Sequence, residues 1–362
     1  MLKLKMYYRW LTNYLLARAC CSGTYALPPR VLSIETTERC NLDCVMCPRK
    51  QSSLSEDEFT LEQFKHTLSL FPRVNTVILL GRGETFLMRD LFPILDFGSR
   101  KGVHFVIVTN GTMLTSEAIK KLPSTGKIVV SIDNPNPDKY RGIRGGGDLR
   151  AIISSLKELR KNRPDQWICI QCVMMKSNID NPVDLIKLAE DVAADAVKLI
   201  YPIIFDRATE SIYIGSSNEM KFRLAEARGY AKKAGIRFIA VPSMNKPRVC
   251  VEPWLGLRVA LNGDIYPCCY INNTAGSLWN EWHDGISIKV PQSNYVMGNV
   301  YDKTVREIWN GERFRSLRRA VVVTKPGALL SVDRLNALRN TVNVSQRFSY
   351  CSVCLYRQNR AC

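Results

Sequence analysis

The run Thr37-Glu38-Arg39-Cys40-Asn41-Leu42-Asp43-Cys44-Val45-Met46-Cys47-Pro48 decides how this chain is read. Its cysteines are spaced C-x3-C-x2-C. Three thiolates this close can wrap one corner of an iron–sulfur cube and leave a fourth iron without a protein ligand. An iron left open can take something else, as catalytic metal sites do when they keep a coordination position free. A zinc knuckle is the competing reading. Zinc asks for four ligands, usually two separated pairs. No fourth Cys or His lies near the triplet, and the three histidines, His66, His104 and His283, are scattered.

Working outward, the residues before and after the triplet alternate between two textures. Short apolar runs occur at 30–36, 74–80, 103–108, 127–132, 167–175 and 196–203. Longer stretches with helical spacing lie between or after them, at 61–71, 90–101, 116–122, 148–162, 182–193 and 219–234. Strands alternating with helices predict βα units around a parallel sheet. In such barrels the reactive groups sit at the C-terminal ends of the strands, and the triplet follows the first predicted strand. A seventh apolar run at 236–241 precedes Cys250, after which Trp, Asn, Gly and Cys become commoner. The expected division is a basic amphipathic segment over 1–30, a barrel over 31–240 and a second domain over 241–362.

The triplet and its setting resemble the radical SAM superfamily. The resemblance implies an α/β fold, a partial (β/α)6 TIM-like barrel. It also implies a [4Fe–4S] cluster on Cys40, Cys44 and Cys47, with S-adenosylmethionine (SAM) on the open iron. One electron then splits the sulfonium and releases a 5′-deoxyadenosyl radical. Gly81-Arg82-Gly83-Glu84-Thr85 is similar to the family's G-G-E-P motif, with Arg82 and Thr85 in place of the commoner Gly and Pro. Gly83 lets backbone approach a ligand and Glu84 can pair with the ammonium of SAM. The resemblance places Met46, Asn110 in Thr109-Asn110-Gly111-Thr112, Ser131, Arg144 and Ile200 among the SAM contacts. A guanidinium fork suits a carboxylate. Each of these also has an ordinary reading, as a turn residue or as barrel core.

The C-terminal third carries a second set of cysteines. Cys250, Gly263 and Cys268 are similar in spacing to the opening of a SPASM or twitch auxiliary-cluster domain. The stretch from Val259 to Cys269 reads as a β-hairpin around Asn262-Gly263. Gly298-Asn299-Val300 and Val305–Asn310 also resemble that domain, and Cys351-x2-Cys354 follows. The resemblance implies one auxiliary [4Fe–4S] cluster on Cys250, Cys268, Cys351 and Cys354. A structural zinc on the same four remains an alternative. Cys269 and Cys362 stand as further ligands, buried thiols or a hydrogen-atom donor. Cys20, Cys21, Cys169 and Cys172 read as core or surface thiols.

Composition sets the wider bounds. The chain has 362 residues, 46% hydrophobic, enough for a full core. Its formal charge is +18, from 51 basic and 33 acidic residues. No acid precedes Glu35, and from Lys303 onward twelve basic residues face three acids. Such surfaces attract phosphates, nucleic acid or anionic lipid. Thirteen cysteines in metal-type clusters point to a reducing, cytoplasmic compartment. The N-terminal stretch around Met6–Arg18 is too short and too interrupted to span a bilayer. It suits an amphipathic helix lying on the protein or on a membrane surface.

The expected function is a radical SAM oxidoreductase acting on a small polar substrate, a sugar or phosphorylated molecule, by dehydrogenation or epimerisation. About thirty residues precede the first strand, too few for a leader-recognition domain, although a separate protein can supply recognition. A peptide-modifying SPASM maturase is the second reading. A basic nucleic-acid or membrane-surface binder with structural metal sites is the third. The resemblance implies a reducing partner such as flavodoxin or ferredoxin, and no specific nucleic acid is expected.

Overall fold

The computed structural model describes residues 26–51, 55–123, 126–178, 180, 182–202, 207–214, 218–240, 252–268, 278–283, 286–291 and 295–323. Cys250, Cys269, Cys351, Cys354 and Cys362 lie outside them, as do Cys20, Cys21 and the N-terminal segment to Tyr25.

Seven strands run parallel in sequence order: β1 (Val31–Glu35), β2 (Thr76–Leu80), β3 (His104–Thr109), β4 (Gly126–Ser131), β5 (Trp167–Val173), β6 (Ala196–Ile200) and β7 (Arg237–Ala240). The connecting helices are α1 (Leu61–Leu70), α2 (Leu91–Arg100), α3 (Ser116–Lys121), α4 (Pro137–Arg144), α5 (Leu149–Asn162), α6 (Pro182–Asp191), α7 (Arg207–Ile212) and α8 (Asn218–Lys233). Their starts are written locally. Thr60 and Gln63 form a reciprocal capping box on α1, and Asp148 accepts from two N–H groups at the start of α5.

The alternation within each strand sorts two faces. Leu32, Ile34, Val77, Leu79, Phe105, Ile107, Ile128, Val130, Ile168, Ile170, Val197 and Leu199 join the helices in one buried core. The intervening residues face the other way, into the barrel. There Val129, Cys169 and Ala196 form a separate small cluster with Val106, Val108 and Trp167.

The sheet does not stop at β1. After the short helix α9 (Glu252–Leu255) comes β8 (Gly256–Val259), which pairs parallel to β1, with Ser33 beside Arg258. β9 (Asp264–Tyr266) folds back antiparallel through the Asn262-Gly263 turn, where Gly263 has φ 84°. β12 (Gly298–Asn299) completes that edge. The expected hairpin is therefore present, and it continues the barrel sheet. A separate antiparallel pair, β10 (Leu278–His283) and β11 (Ile286–Pro291), was not anticipated from the sequence. The helices α10 (Val305–Trp309) and α11 (Glu312–Val323) follow. Trp309 Nε1 donates to Leu27 O at 2.9 Å, which ties the chain ahead of β1 to α10. Arg318 stacks on Trp309 at 4.6 Å and donates to Pro253 O at 2.8 Å. No helix among the described residues is long and apolar enough to cross a membrane.

Candidate active site

The cysteine loop leaves β1 at the C-terminal end of the sheet and is held from three sides. From β2, Gly83 N donates to Thr37 O at 2.9 Å and Glu84 N to Arg39 O at 2.7 Å. A Cβ on Gly83 would lie 2.3 Å from Arg39 O and 2.4 Å from Thr37 O, so only glycine permits this approach. From β3, Asn110 Nδ2 donates to Asn41 Oδ1 at 2.9 Å, and Asn41 Nδ2 in turn to Thr112 Oγ1 at 2.8 Å. From α4, Ile143 O accepts from Val45 N at 3.0 Å. Gly145, in the left-handed region at φ 66°, brings its backbone against Asp43.

Cys40, Cys44 and Cys47 then share one cluster with Leu42, Met46, Ile143 and Met175. Polar donors aim at two of the sulfurs. Arg144 Nη1 lies 3.7 Å from Cys44 Sγ, and Asn110 Nδ2 lies 3.9 Å from Cys40 Sγ. Burial pushes the Cys44 thiol up to about 11, against the pull of Arg144, and burial raises Cys47 too. These thiols give up their protons when metal replaces them. No three His, Cys, Asp or Glu among the described residues converge as on a single ion. A cube corner does not ask for that, because each thiolate binds a different iron and the sulfurs stand further apart. Three half-buried or buried thiols in one apolar cluster, with N–H groups directed at their sulfurs, fit such a corner.

Glu84 is nearly fully buried, and burial raises its carboxyl. Three donors oppose that rise: Asn110 N at 2.7 Å on Oε2, and Thr109 Oγ1 at 2.6 Å and Phe86 N at 3.1 Å on Oε1. These fix the carboxylate beside the cysteine loop and leave it acceptor capacity. Arg144 ends a helix that sequence reasoning missed, although Asn136 caps it, Pro137 opens it and Gly145 stops it. Its Nε sits 2.5 Å from Asp133 Oδ2. Burial, the largest single influence, pulls the guanidinium down; the Asp133 carboxylate together with Cys44 and Tyr140 outweighs it and holds it above its ordinary range. Asp133 is fixed in turn by Val173 N at 2.7 Å. Ser131 and Ile200 lie at the C-terminal ends of β4 and β6 on the barrel's inner face, half-buried.

Arg82, the residue standing where the G-G-E-P motif has glycine, is 5% exposed. It pairs with Glu38, two residues before Cys40, and its Nε lies 3.7 Å from Glu35 Oε1. Arg258 of β8 reaches the same oxygen at 2.9 Å. Two carboxylates and two guanidiniums thus balance each other in the interior, joining the cysteine loop to the β8 hairpin. A buried charge of this kind persists only when paired.

A family model of the radical SAM superfamily matches residues 34–189, and one of an iron–sulfur cluster-binding domain, SPASM, matches 250–355. The chain belongs to the radical SAM superfamily. It is 27% identical over 321 residues to the AdoMet-dependent heme synthase of Methanosarcina barkeri, covering 80% of this chain and 85% of that protein. It is 25% identical over 273 residues to the subtilosin biosynthesis protein AlbA of Bacillus subtilis, covering 73% of this chain and 60% of that one. Among solved structures, Streptococcus suis SuiB bound to its precursor peptide SuiA superposes with a TM-score of 0.64 at 15% identity, over 86% of this chain and 71% of that chain. That likeness is one of fold: an α/β parallel-strand barrel that is not closed. As a radical SAM enzyme the chain uses a [4Fe–4S] cluster and SAM, and its SPASM segment brings auxiliary iron–sulfur chemistry.

Proposed function

We propose that this radical SAM enzyme abstracts a hydrogen atom from a peptide or other organic substrate held inside the barrel, leading to net dehydrogenation. The observation that carries this reading is the cysteine loop itself, clamped by β2, β3 and α4 with Asn110 and Arg144 donating toward its sulfurs. When bound, the cluster, SAM and the auxiliary cluster supply a 5′-deoxyadenosyl radical and an acceptor for the substrate's second electron.

In this reading Cys40, Cys44 and Cys47 hold the cluster. Glu84, presented over Gly83, takes the ammonium of SAM. Asn110, Ser131, Ile200 and Met46 line the remainder of the cofactor. Arg144 is committed to Asp133 and Cys44, which supports a place beside the cluster sulfur rather than on the SAM carboxylate. Cys268, half-buried just after β9, would join Cys250, Cys351 and Cys354 around one auxiliary cluster. A flavodoxin- or ferredoxin-type reductant in a reducing cytoplasm suits such thiols.

The relatives named above carry haem-synthesis and bacteriocin-biosynthesis names, and the solved structure holds a precursor peptide. None of the three is named for a sugar, so that expectation gains no support from them.

The test is anaerobic reconstitution with iron and sulfide, followed by dithionite and SAM. About eight irons per chain with 5′-deoxyadenosine formed is the expected result. Cys44→Ala is expected to form none. Cleavage of SAM by Cys44→Ala at the parent rate would overturn the assignment. About four irons with activity retained would remove the auxiliary cluster from it.

A further inference from the structure

From β2 to β7 the inner wall of the barrel is cationic and lacks acids; on β1 the inward Glu35 is already taken by Arg82 and Arg258. Strand alternation assigns the inward positions of β2 to β7: Thr76, Ile78 and Leu80; His104, Val106 and Val108; Lys127, Val129 and Ser131; Trp167, Cys169, Gln171 and Val173; Ala196, Lys198 and Ile200; Arg237 and Ile239. Three of these are basic and none is a carboxylate. Elsewhere in the interior every buried arginine near the site meets an acid: Arg144 has Asp133, and Arg82 and Arg258 have Glu35.

One row on this wall is laterally in register. Ser131 pairs with Gln171 across β4 and β5, and Gln171 with Lys198 across β5 and β6. The row runs from the C-terminal end of β4 to the middle of β6, with Lys198 one inward position below Ile200. All three side chains are half-buried. Among the described residues none of the three side chains makes a hydrogen bond or ion pair. Lys198 is close enough to the buried Cys169 for its charge to act on that thiol, together with Lys127 and Arg237. Ala196, two residues before Lys198 on β6, belongs to the inner cluster with Cys169, and the strand's alternation puts Lys198 on the same face. An ammonium without a partner, beside an amide with unused hydrogen-bonding capacity on a chamber wall, is suited to an anion.

We infer that Lys198, with Gln171 in register beside it, anchors a carboxylate of the substrate inside the barrel. The inference rests on the reading of this barrel as the reaction chamber. The carboxylate belongs either to a small polycarboxylic molecule or to an acidic peptide side chain; both present the same group to the ammonium. The C–H bonds next to the anchored carboxylate are thereby held above the row, toward the cysteine loop.

The experiment is titration calorimetry on anaerobically reconstituted protein, without reductant, using tricarballylate and an acidic hexapeptide as separate probes. Tricarballylamide and a glutamine hexapeptide are the neutral controls. At least one acidic probe is expected to bind, and its neutral counterpart not. Lys198→Gln is expected to weaken that binding about tenfold or more, the scale of one charge-assisted hydrogen bond. Lys198→Arg is expected to restore most of it. Lys187→Gln, on the exposed face of α6, serves as the control for net charge. Which probe binds distinguishes the small molecule from the peptide. Binding of neither, or equal binding by Lys198→Gln, would overturn the inference. If Lys198→Gln does not fold, Gln171→Leu and Lys198→Arg carry the same test, with weakening expected of the first alone. 5′-deoxyadenosine formed by the same wild-type preparation keeps the two readings apart. Its formation without carboxylate binding would sink this inference and leave the radical reaction standing. Binding without SAM cleavage would do the reverse.

Discussion

The rim of the barrel at β1–β3 and its wall at β4–β6 are built in opposite ways. At the rim nearly every polar group has a partner: Glu84 accepts three hydrogen bonds, Asn110 bridges to Asn41, and Gly83 and Glu84 zip onto Thr37 and Arg39. On the wall, Gln171 and Lys198 have none among the described residues. A site that must hold a cofactor in one geometry is pre-organised by the fold. A site that waits for a substrate keeps its polar groups free until the substrate arrives. The rim should therefore behave as structure under mutation, and the wall as binding surface.

The sharpest way to break this contrast is Cys44→Ala. It should abolish SAM cleavage and lower the iron content by about four per chain while the far-ultraviolet spectrum is kept. Retained iron would mean that the loop is not the cluster site. Next is Asp133→Ala, which leaves Arg144 buried without its counter-charge. A loss of about 3–5 kcal/mol in denaturant unfolding is expected, and a change below 1 kcal/mol would show the pair to be dispensable. Gly83→Ala forces two backbone segments apart. It should cost about 1–3 kcal/mol and reduce cluster uptake in proportion, measured by melting temperature and iron assay. Thr109→Val removes one hydrogen bond to Glu84 and should cost about 1 kcal/mol. The wall should answer with the other sign. Lys198→Met is expected to leave the melting point unchanged or raise it slightly, because the ammonium makes no hydrogen bond or ion pair among the described residues and the substitution adds apolar surface to a half-buried position. A loss comparable to Gly83→Ala would make the wall structural and end the comparison.

Much of the rim could be read from the chain. The cysteine spacing, the motif after β2 and the Asn-Gly turn are local signals, and the strand–helix alternation placed them at the ends of parallel strands. Three features could not be read in the same way. Arg82 looked like a defect in a glycine-rich motif, because its partners Glu35, Glu38 and Arg258 come together only in the folded sheet. The helix before Gly145 has few large apolar residues, so its period is weak and only its caps announce it. Lys198 sits in a strand whose alternation is plain. Its isolation from acids depends on what five neighbouring strands present, which no single segment reveals. The auxiliary cluster is legible in cysteine spacing, and of its four expected ligands only Cys268 falls within the described residues.

The pairing of β8 with β1 has a consequence for how the molecule is made. One edge of β1 is satisfied by β2 soon after synthesis, but its other edge is complete only when Gly256–Val259 emerges. At ordinary elongation speeds that interval is roughly ten to forty-five seconds. Through it, the strand that leads into the cysteine loop presents an unpaired edge, and Glu35 waits for Arg258. A nascent chain in this condition is open to pairing with other strands, so the final closing of the first strand is an event of late translation.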